Sequence, residues 1–344
     1  MRRRYSEMNK RIISIAAAIV LTAVTAFGMT GCGSSDSGDK TPVTFCLDWT
    51  PNTNHTGVYV AKALGYYDEA GLDVTIVQPA ENTAEQMTSA GEAQFAIGYQ
   101  DTMASILEDE ENCNFTTVAA VLQHNTSGIM SRKGDGITSP KGLTGKTYSA
   151  WDIPIEQAML KKLINDDGGN FDELKQIPNN ITDEPAALDA NQTDAIWVYE
   201  GWGVVNAEVE GVDVDYFGFA DYDETFDYYS PVIIANNDFL SNQTDAAKAF
   251  IAATAKGYEY AAKNPEEAAD ILIEGDETGS LENSEELVKK SQKVLADKYI
   301  ADAEQWGVID ADRWNRFYKW LHDNGLTETD LTDKGFTNEY LPEK

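Results

Sequence analysis

From residue 43 onward the chain alternates short apolar runs with stretches of helical spacing. Residues 43–47, 74–77 and 95–98 are apolar runs of strand length, and residues 57–64 and 83–90 between them carry the spacing of short helices. Gly65 and Gly91 stop those helices, and Thr83 with Gln86 has capping-box spacing. Strands alternating with helices predict a parallel sheet covered by helices. A second round follows the break Lys133-Gly134-Asp135-Gly136 and Ser139-Pro140. It holds a strand at 146–150, a helix at 155–164 opened by Pro154, an acidic helix at 182–190 and a strand at 195–199.

The two rounds echo each other. Residues 91–98 and 191–198 share one layout of polar turn then buried strand, and the first strand of each round leads into a tryptophan, Trp49 or Trp151. The expectation is an α/β protein of two lobes with parallel-rich sheets and a cleft between them. After Pro231 a strand at 232–235 returns to the first lobe, and helices at 245–263, 265–273 and 284–296 complete it. Lobe one is therefore drawn as 43–131 plus 232–344, and lobe two as 132–231. Trp314, Phe317 and Leu321 share one helical face and are assigned to the core.

The N-terminus reads as an address. Arg2, Arg3, Arg4, Lys10 and Arg11 precede an apolar stretch at 12–27 and the run Gly28-Met29-Thr30-Gly31-Cys32, the layout of a secretory signal. Small residues directly before a cysteine resemble a bacterial lipobox, so residues 1–31 are expected to be removed and Cys32 to be lipidated. Residues 32–42 begin with a Gly/Ser/Asp run that reads as a flexible tether. The expected location is extracytoplasmic, lipid-anchored to a bacterial cell membrane.

Charge narrows the partners. Taking the signal's five basic residues and one acidic residue from totals of 26 and 58 leaves 21 basic and 57 acidic, a net charge near −36. Such a surface repels phosphate backbones and excludes nucleic acid as a partner. Cys46 and Cys113 could pair outside the cell or stand as separate thiols. His55, His124 and His322 are scattered, so neither a metal site nor a cofactor is expected.

Ligands of open parallel sheets bind beyond the carboxyl ends of the strands. That rule selects the segments 48–55, 99–101, 151–152 and 199–202, each with an aromatic residue beside a carboxylate, amide or imidazole. Aromatic faces stack on a flat ring while a few polar groups read its edge. The candidate ligand-binding residues are Trp49, Asn52, His55, Tyr99, Gln100, Trp151, Tyr199, Glu200 and Trp202. Asn52 and Thr53 have an alternative as turn and cap residues, and His55 an alternative as a supporting residue. Asp101 and Asp152 are read as caps of the helices that follow them. Tyr228 and Tyr229 suit either the cleft or the hinge.

The run from Leu47-Asp48-Trp49-Thr50-Pro51-Asn52-Thr53-Asn54-His55-Thr56-Gly57 to Gly65-Tyr66-Tyr67 resembles the opening motif of the thiamine pyrimidine precursor (NMT1-like) family. Similarity continues in the segments 136–146 and 336–341, so it spans the chain from about Val43 to Leu341. The resemblance implies a type II periplasmic-binding-protein fold with two crossings between lobes. It also implies a solute-binding lipoprotein serving an ABC permease and its ATPase, expected to act as a monomer. Implied ligands are hydroxymethylpyrimidine or formylaminopyrimidine, with riboflavin, nitrate or sulfonates bound by relatives. Trp49, Tyr199, Glu200 and Trp202 would stack on and contact the pyrimidine.

The rival within the same resemblance is the fungal hydroxymethylpyrimidine phosphate synthase, an enzyme that consumes pyridoxal phosphate held on a lysine and uses iron held by a cysteine-rich run. Gln100 stands at the lysine position, Ala104 at that of a nearby histidine, and residues 225–229 replace the cysteines. Without an amine no Schiff base forms, and without those thiols iron has no obvious ligands. A binding protein rather than an enzyme is therefore expected.

Overall fold

A computed structural model describes residues 40–343 apart from 80 and 110. The signal, Cys32 and the tether up to residue 39 lie outside the described residues.

Ten strands run in chain order: β1 (Thr41–Cys46), β2 (Leu72–Val77), β3 (Phe95–Gly98), β4 (Phe115–Ala120), β5 (Ser127–Arg132), β6 (Thr147–Ala150), β7 (Lys175–Pro178), β8 (Ala195–Tyr199), β9 (Val214–Gly218) and β10 (Val232–Asn236). They form two five-stranded sheets, ordered β2-β1-β3-β10-β4 and β7-β6-β8-β5-β9. In the first, β1 pairs parallel with β2 and β3, while β10 runs antiparallel to β3 and β4. In the second, β6 is parallel to β7 and β8, while β5 is antiparallel to β8 and β9. The strand that opposes its neighbours is, in each sheet, the one the chain adds directly after leaving the other sheet. The chain thus crosses twice, as the resemblance implies.

Sheet membership corrects one boundary. β5 belongs to the second sheet, so the first crossing lies between Ala120 and Ser127 and not at 131/132. No helix separates β4 from β5, and the Gly-rich run at 133–136 is the turn after β5. The return strand at Val232–Asn236 joins the first sheet where the pattern places it.

Local chemistry accounts for the elements. The Thr83 side chain accepts from the Gln86 amide and the Gln86 side chain returns the bond, so the capping box opens the helix Ala84–Ser89. Every residue of β3 is buried because helices cover both faces of the sheet. The helix Thr244–Lys263 packs on the helix Thr56–Ala63 so closely that a Cβ on Gly257 would come within 2.0 Å of the Gly57 carbonyl oxygen. Phe250 from the longer helix stacks on Phe95 at 4.0 Å and on Tyr67 at 5.1 Å between ring centroids. Truncating such a buried ring costs about 3–5 kcal/mol. Trp314, Phe317 and Leu321 are buried on one face of the helix Ala311–Asp323, as their spacing predicts.

Both described cysteines are free thiols. Burial, with Asp48 and Glu85 nearby, pushes the Cys46 thiol up to about 12, so it packs as an apolar group. Among the described residues no helix is long and apolar enough to cross a membrane, and no group of His, Cys, Asp and Glu could hold a metal ion.

Candidate functional site

The loop after β1 carries Trp49 out into solvent, 59% exposed, on a scaffold built from its neighbours. Asn52 caps the turn Thr53–His55: its Oδ1 accepts from the Asn54 amide and its Nδ2 donates to the Thr50 carbonyl. The Asn52 amide donates to His55 Nδ1 at 3.1 Å. A nitrogen that accepts carries no proton, so the neutral ring holds its hydrogen on Nε2 and donates it to Asp48 Oδ1 at 2.6 Å. The other Asp48 oxygen accepts from the Tyr99 hydroxyl at 2.6 Å. Burial pushes the Asp48 carboxyl up. The hydrogen bonds from His55 and Tyr99 outweigh it, so the carboxyl lies below its ordinary value.

Asn52 and His55 are buried with their polar atoms committed inside this network, so they take the capping and supporting roles. The Gln100 placement as a ligand contact also gives way. Its Nε2 donates to the Trp314 carbonyl and its Oε1 accepts from the Tyr229 amide, both at 2.9 Å, which ties the second crossing to the helix Ala311–Asp323.

The second sheet presents its tryptophan differently. Trp151 directly follows β6 and is 61% exposed. Beneath it Glu156 is fully buried, accepting from the Tyr148 hydroxyl at 2.6 Å and from the Trp151 and Asp152 amides at 3.1 and 2.9 Å. Glu156 therefore covers the start of the helix Pro154–Asp166. Asp152 is not its cap: it is exposed with a left-handed φ of 60°. Sequence reasoning missed Glu156, although a Glu two places after a helix-opening Pro is the third helical residue, which reaches back to the cap backbone.

Tyr99 after β3 and Tyr199 at the end of β8 occupy matching positions in the two sheets, and their rings meet at 6.1 Å between centroids. Glu200, next in the chain, is half-exposed and paired with Lys298 at 3.0 Å. Nothing in the sequence pointed to Lys298. Trp202 turns to the core of the first sheet and is partly buried against it. Gly201 beside it admits Leu295 so closely that a Cβ would come within 2.5 Å of that side chain.

At the crossings, Asp101 lies in the first turn of the helix Gln100–Glu108 rather than at its cap, which is Tyr99. Tyr228 and Tyr229 are fully buried and belong to the hinge. The Tyr228 hydroxyl donates to Asp101 Oδ2 at 3.2 Å. His124 of the first crossing bonds Asp227 of the second at 2.8 Å through Nδ1 and Asp302 at 3.0 Å through Nε2. A separate hollow of about 260 Å³ at the edge of the first sheet, lined by Tyr59, Lys62, Gln78 and Glu277 among others, shares none of these residues.

Residues 52–268 match the family model described as NMT1/THI5 like. The formylaminopyrimidine-binding protein of Halalkalibacterium halodurans is 30% identical over 90% of this chain and 92% of its own length. A 4-amino-5-hydroxymethyl-2-methylpyrimidine phosphate synthase of Saccharomyces cerevisiae is 31% identical, over 32% of each chain. Among solved structures, the ligand-binding component of an ABC-type import system from Staphylococcus aureus superposes with a TM-score of 0.64 at 14% identity, over 88% of this chain and 98% of that one. The alkanesulfonate-binding protein of Xanthomonas axonopodis pv. citri gives 0.62 at 9% identity over 90% and 100%. The fold is that of the type II periplasmic binding proteins, two mixed α/β sheets facing a cleft, and the chain belongs to the NMT1/THI5-like family.

Proposed function

We propose that this protein is the extracytoplasmic solute-binding component of an ABC importer. Its ligand is a small flat heterocycle, foremost a thiamine pyrimidine precursor such as formylaminopyrimidine or hydroxymethylpyrimidine. The observation that carries the reading is the pair of exposed tryptophans, Trp49 and Trp151, on strand-end loops in matching places of the two sheets, with Tyr99 and Tyr199 in contact between them. Large exposed aromatics beyond strand ends, each above a hydrogen-bonded carboxylate, suit stacking on a flat ring. Glu200 supplies an acceptor for the ring's amino group once it exchanges its partly exposed partner Lys298. That exchange is cheap, because exposed ion pairs contribute little.

Ligand held by both lobes favours the closed form, which docks on the permease while a separate ATPase supplies energy. In this reading Cys32 carries the lipid anchor, the protein works as a monomer, and it performs no chemistry. Gln100 supports the last point, since its amide cannot form a Schiff base and is already bound at both ends. The name of the Halalkalibacterium relative supports the choice of ligand. A thermal-shift panel of hydroxymethylpyrimidine, formylaminopyrimidine, thiamine, riboflavin and taurine tests the proposal. Stabilisation by either pyrimidine precursor is expected. Stabilisation by riboflavin or taurine alone reassigns the ligand, and iron- and pyridoxal-phosphate-dependent pyrimidine formation by the purified protein overturns the binding role.

A further inference from the structure

The hollow of about 260 Å³ at the edge of the first sheet carries polar side chains that the cleft network does not use. Its apolar wall is Leu47, just after β1, with Ile76 and Val77 at the end of β2. Tyr59 and Lys62 line it from the helix Thr56–Ala63, where a spacing of three puts them on one face. Glu277 lines it from the turn that follows the helix Pro265–Gly275. Gly275 lets that turn close on the helix, because a Cβ there would come within 2.7 Å of the Tyr59 ring. Asp276 orders the turn from within, accepting from the Thr278 and Leu281 amides at 3.0 and 2.8 Å. Gln78 and Thr278, also on the hollow, bond each other at 3.5 Å. Tyr59 is only 8% exposed, yet its hydroxyl makes no hydrogen bond among the described residues. Burial pushes the phenol pKa up, the charges of Asp276 and Glu277 add to the rise, and the hydroxyl therefore keeps its proton. Lys62 and Glu277 are exposed and form no ion pair among the described residues. The hollow thus offers two neighbouring donors, one free carboxylate and an apolar wall.

We propose that this hollow is a second ligand site, taking a small zwitterion with an apolar body, the chemistry of a free aliphatic amino acid. The ligand's carboxylate meets the Lys62 ammonium and the Tyr59 hydroxyl, which both donate, and its ammonium group meets the Glu277 carboxylate. Its aliphatic chain covers Leu47, Ile76 and Val77, and the volume suits a small solute rather than a large one. An amine without a carboxylate leaves Lys62 facing a like charge, and an acid without an amine does the same to Glu277, so both half-ligands are selected against. The hollow shares no residue with the proposed cleft site, so the inference stands apart from the heterocycle reading.

The test is calorimetric titration with L-leucine, with isoamylamine, which lacks the carboxylate, and with isocaproate, which lacks the amine, each repeated in excess hydroxymethylpyrimidine. Leucine is expected to bind at one site whether or not the pyrimidine is present, and each half-ligand about tenfold more weakly or worse. Lys62→Met should weaken leucine about tenfold without weakening isoamylamine, and Glu277→Gln should weaken leucine about tenfold without weakening isocaproate. Tyr59→Phe should weaken leucine about threefold to tenfold with unchanged unfolding, because the hydroxyl it removes bonds nothing in the folded chain. No heat from leucine up to about 10 mM overturns the proposal. So does leucine binding that excess pyrimidine abolishes, which would place it in the cleft, or leucine affinity that neither Lys62→Met nor Glu277→Gln changes.

Discussion

The two sheets share strand order, yet each supports its exposed tryptophan by a different carboxylate. Under Trp49, Asp48 is a junction: it bonds His55 of its own loop and Tyr99 after β3, so the loop is tied to the neighbouring strand end. Under Trp151, Glu156 works locally, holding the two backbone amides that lead into its own helix. The first arrangement links the tryptophan to the tyrosine that meets the opposite sheet. The second fixes only the path of the chain at one helix start. The first sheet's rim is thus held by side chains from separate segments, and the second rim by one side chain of its own helix.

The largest effect that would break this contrast concerns Glu156. Glu156→Leu leaves the Trp151 and Asp152 amides without their acceptor, and a loss of about 2–5 kcal/mol of unfolding free energy is expected by urea denaturation. An equal loss of affinity without a loss of stability would assign Glu156 to the ligand instead. Next in size, Trp49→Ala should weaken binding about tenfold or more, while changing stability by less than about 0.5 kcal/mol because the ring is exposed. A third pair sharpens the asymmetry. Tyr99→Phe removes the 2.6 Å bond to Asp48 and should cost about 1 kcal/mol in stability with a few-fold loss of affinity. Tyr199→Phe removes only a 3.5 Å contact with Ser230 and should be close to neutral. Equal effects from the two would erase the distinction between the rims.

The smallest effect lies at the crossings that join the sheets. Both His124 nitrogens face carboxylates, and a neutral ring can donate to only one of them. The hydrogen bond to the Asp227 carboxylate, outweighing burial, raises the His124 pKa above its ordinary 6.5. Arg313, bonded to Asp227 at 3.4 Å, opposes the rise. A raised folded pKa means that the stabilisation is complete below the unfolded value and is lost as pH rises through the folded value. The stability gap between wild type and His124→Ala should therefore narrow as the pH rises above about 6.5, and it should be small because the ring is partly exposed. A gap that widens with pH would show that the imidazole is neutral in the hinge.

Much of the architecture was legible from periodicity. The strands β3 and β8 follow the pattern residue for residue, and the Thr83 capping box forms as its spacing predicts. β5 was not legible, because its sequence Ser127-Gly128-Ile129-Met130-Ser131-Arg132 lacks the continuous apolar run that marks β10. The strand-end rule points to Trp49 and Trp151, which the fold leaves exposed, and to Tyr99 and Tyr199, which meet at matching strand ends. It misjudged Gln100, Asn52 and Trp202, since spacing cannot say whether a polar end is already bonded or a ring turned inward. Lys298 beside Glu200 and Asp227 beside His124 are pairs distant in sequence that only the folded chain brings together.

Calorimetric titration of the wild-type and Trp49→Ala proteins with formylaminopyrimidine is the most direct test of the central claim. The account expects saturable one-site binding to the wild type and at least a tenfold weaker affinity in the variant, with unchanged unfolding. No heat with the wild type, or equal affinity in both proteins, would contradict it.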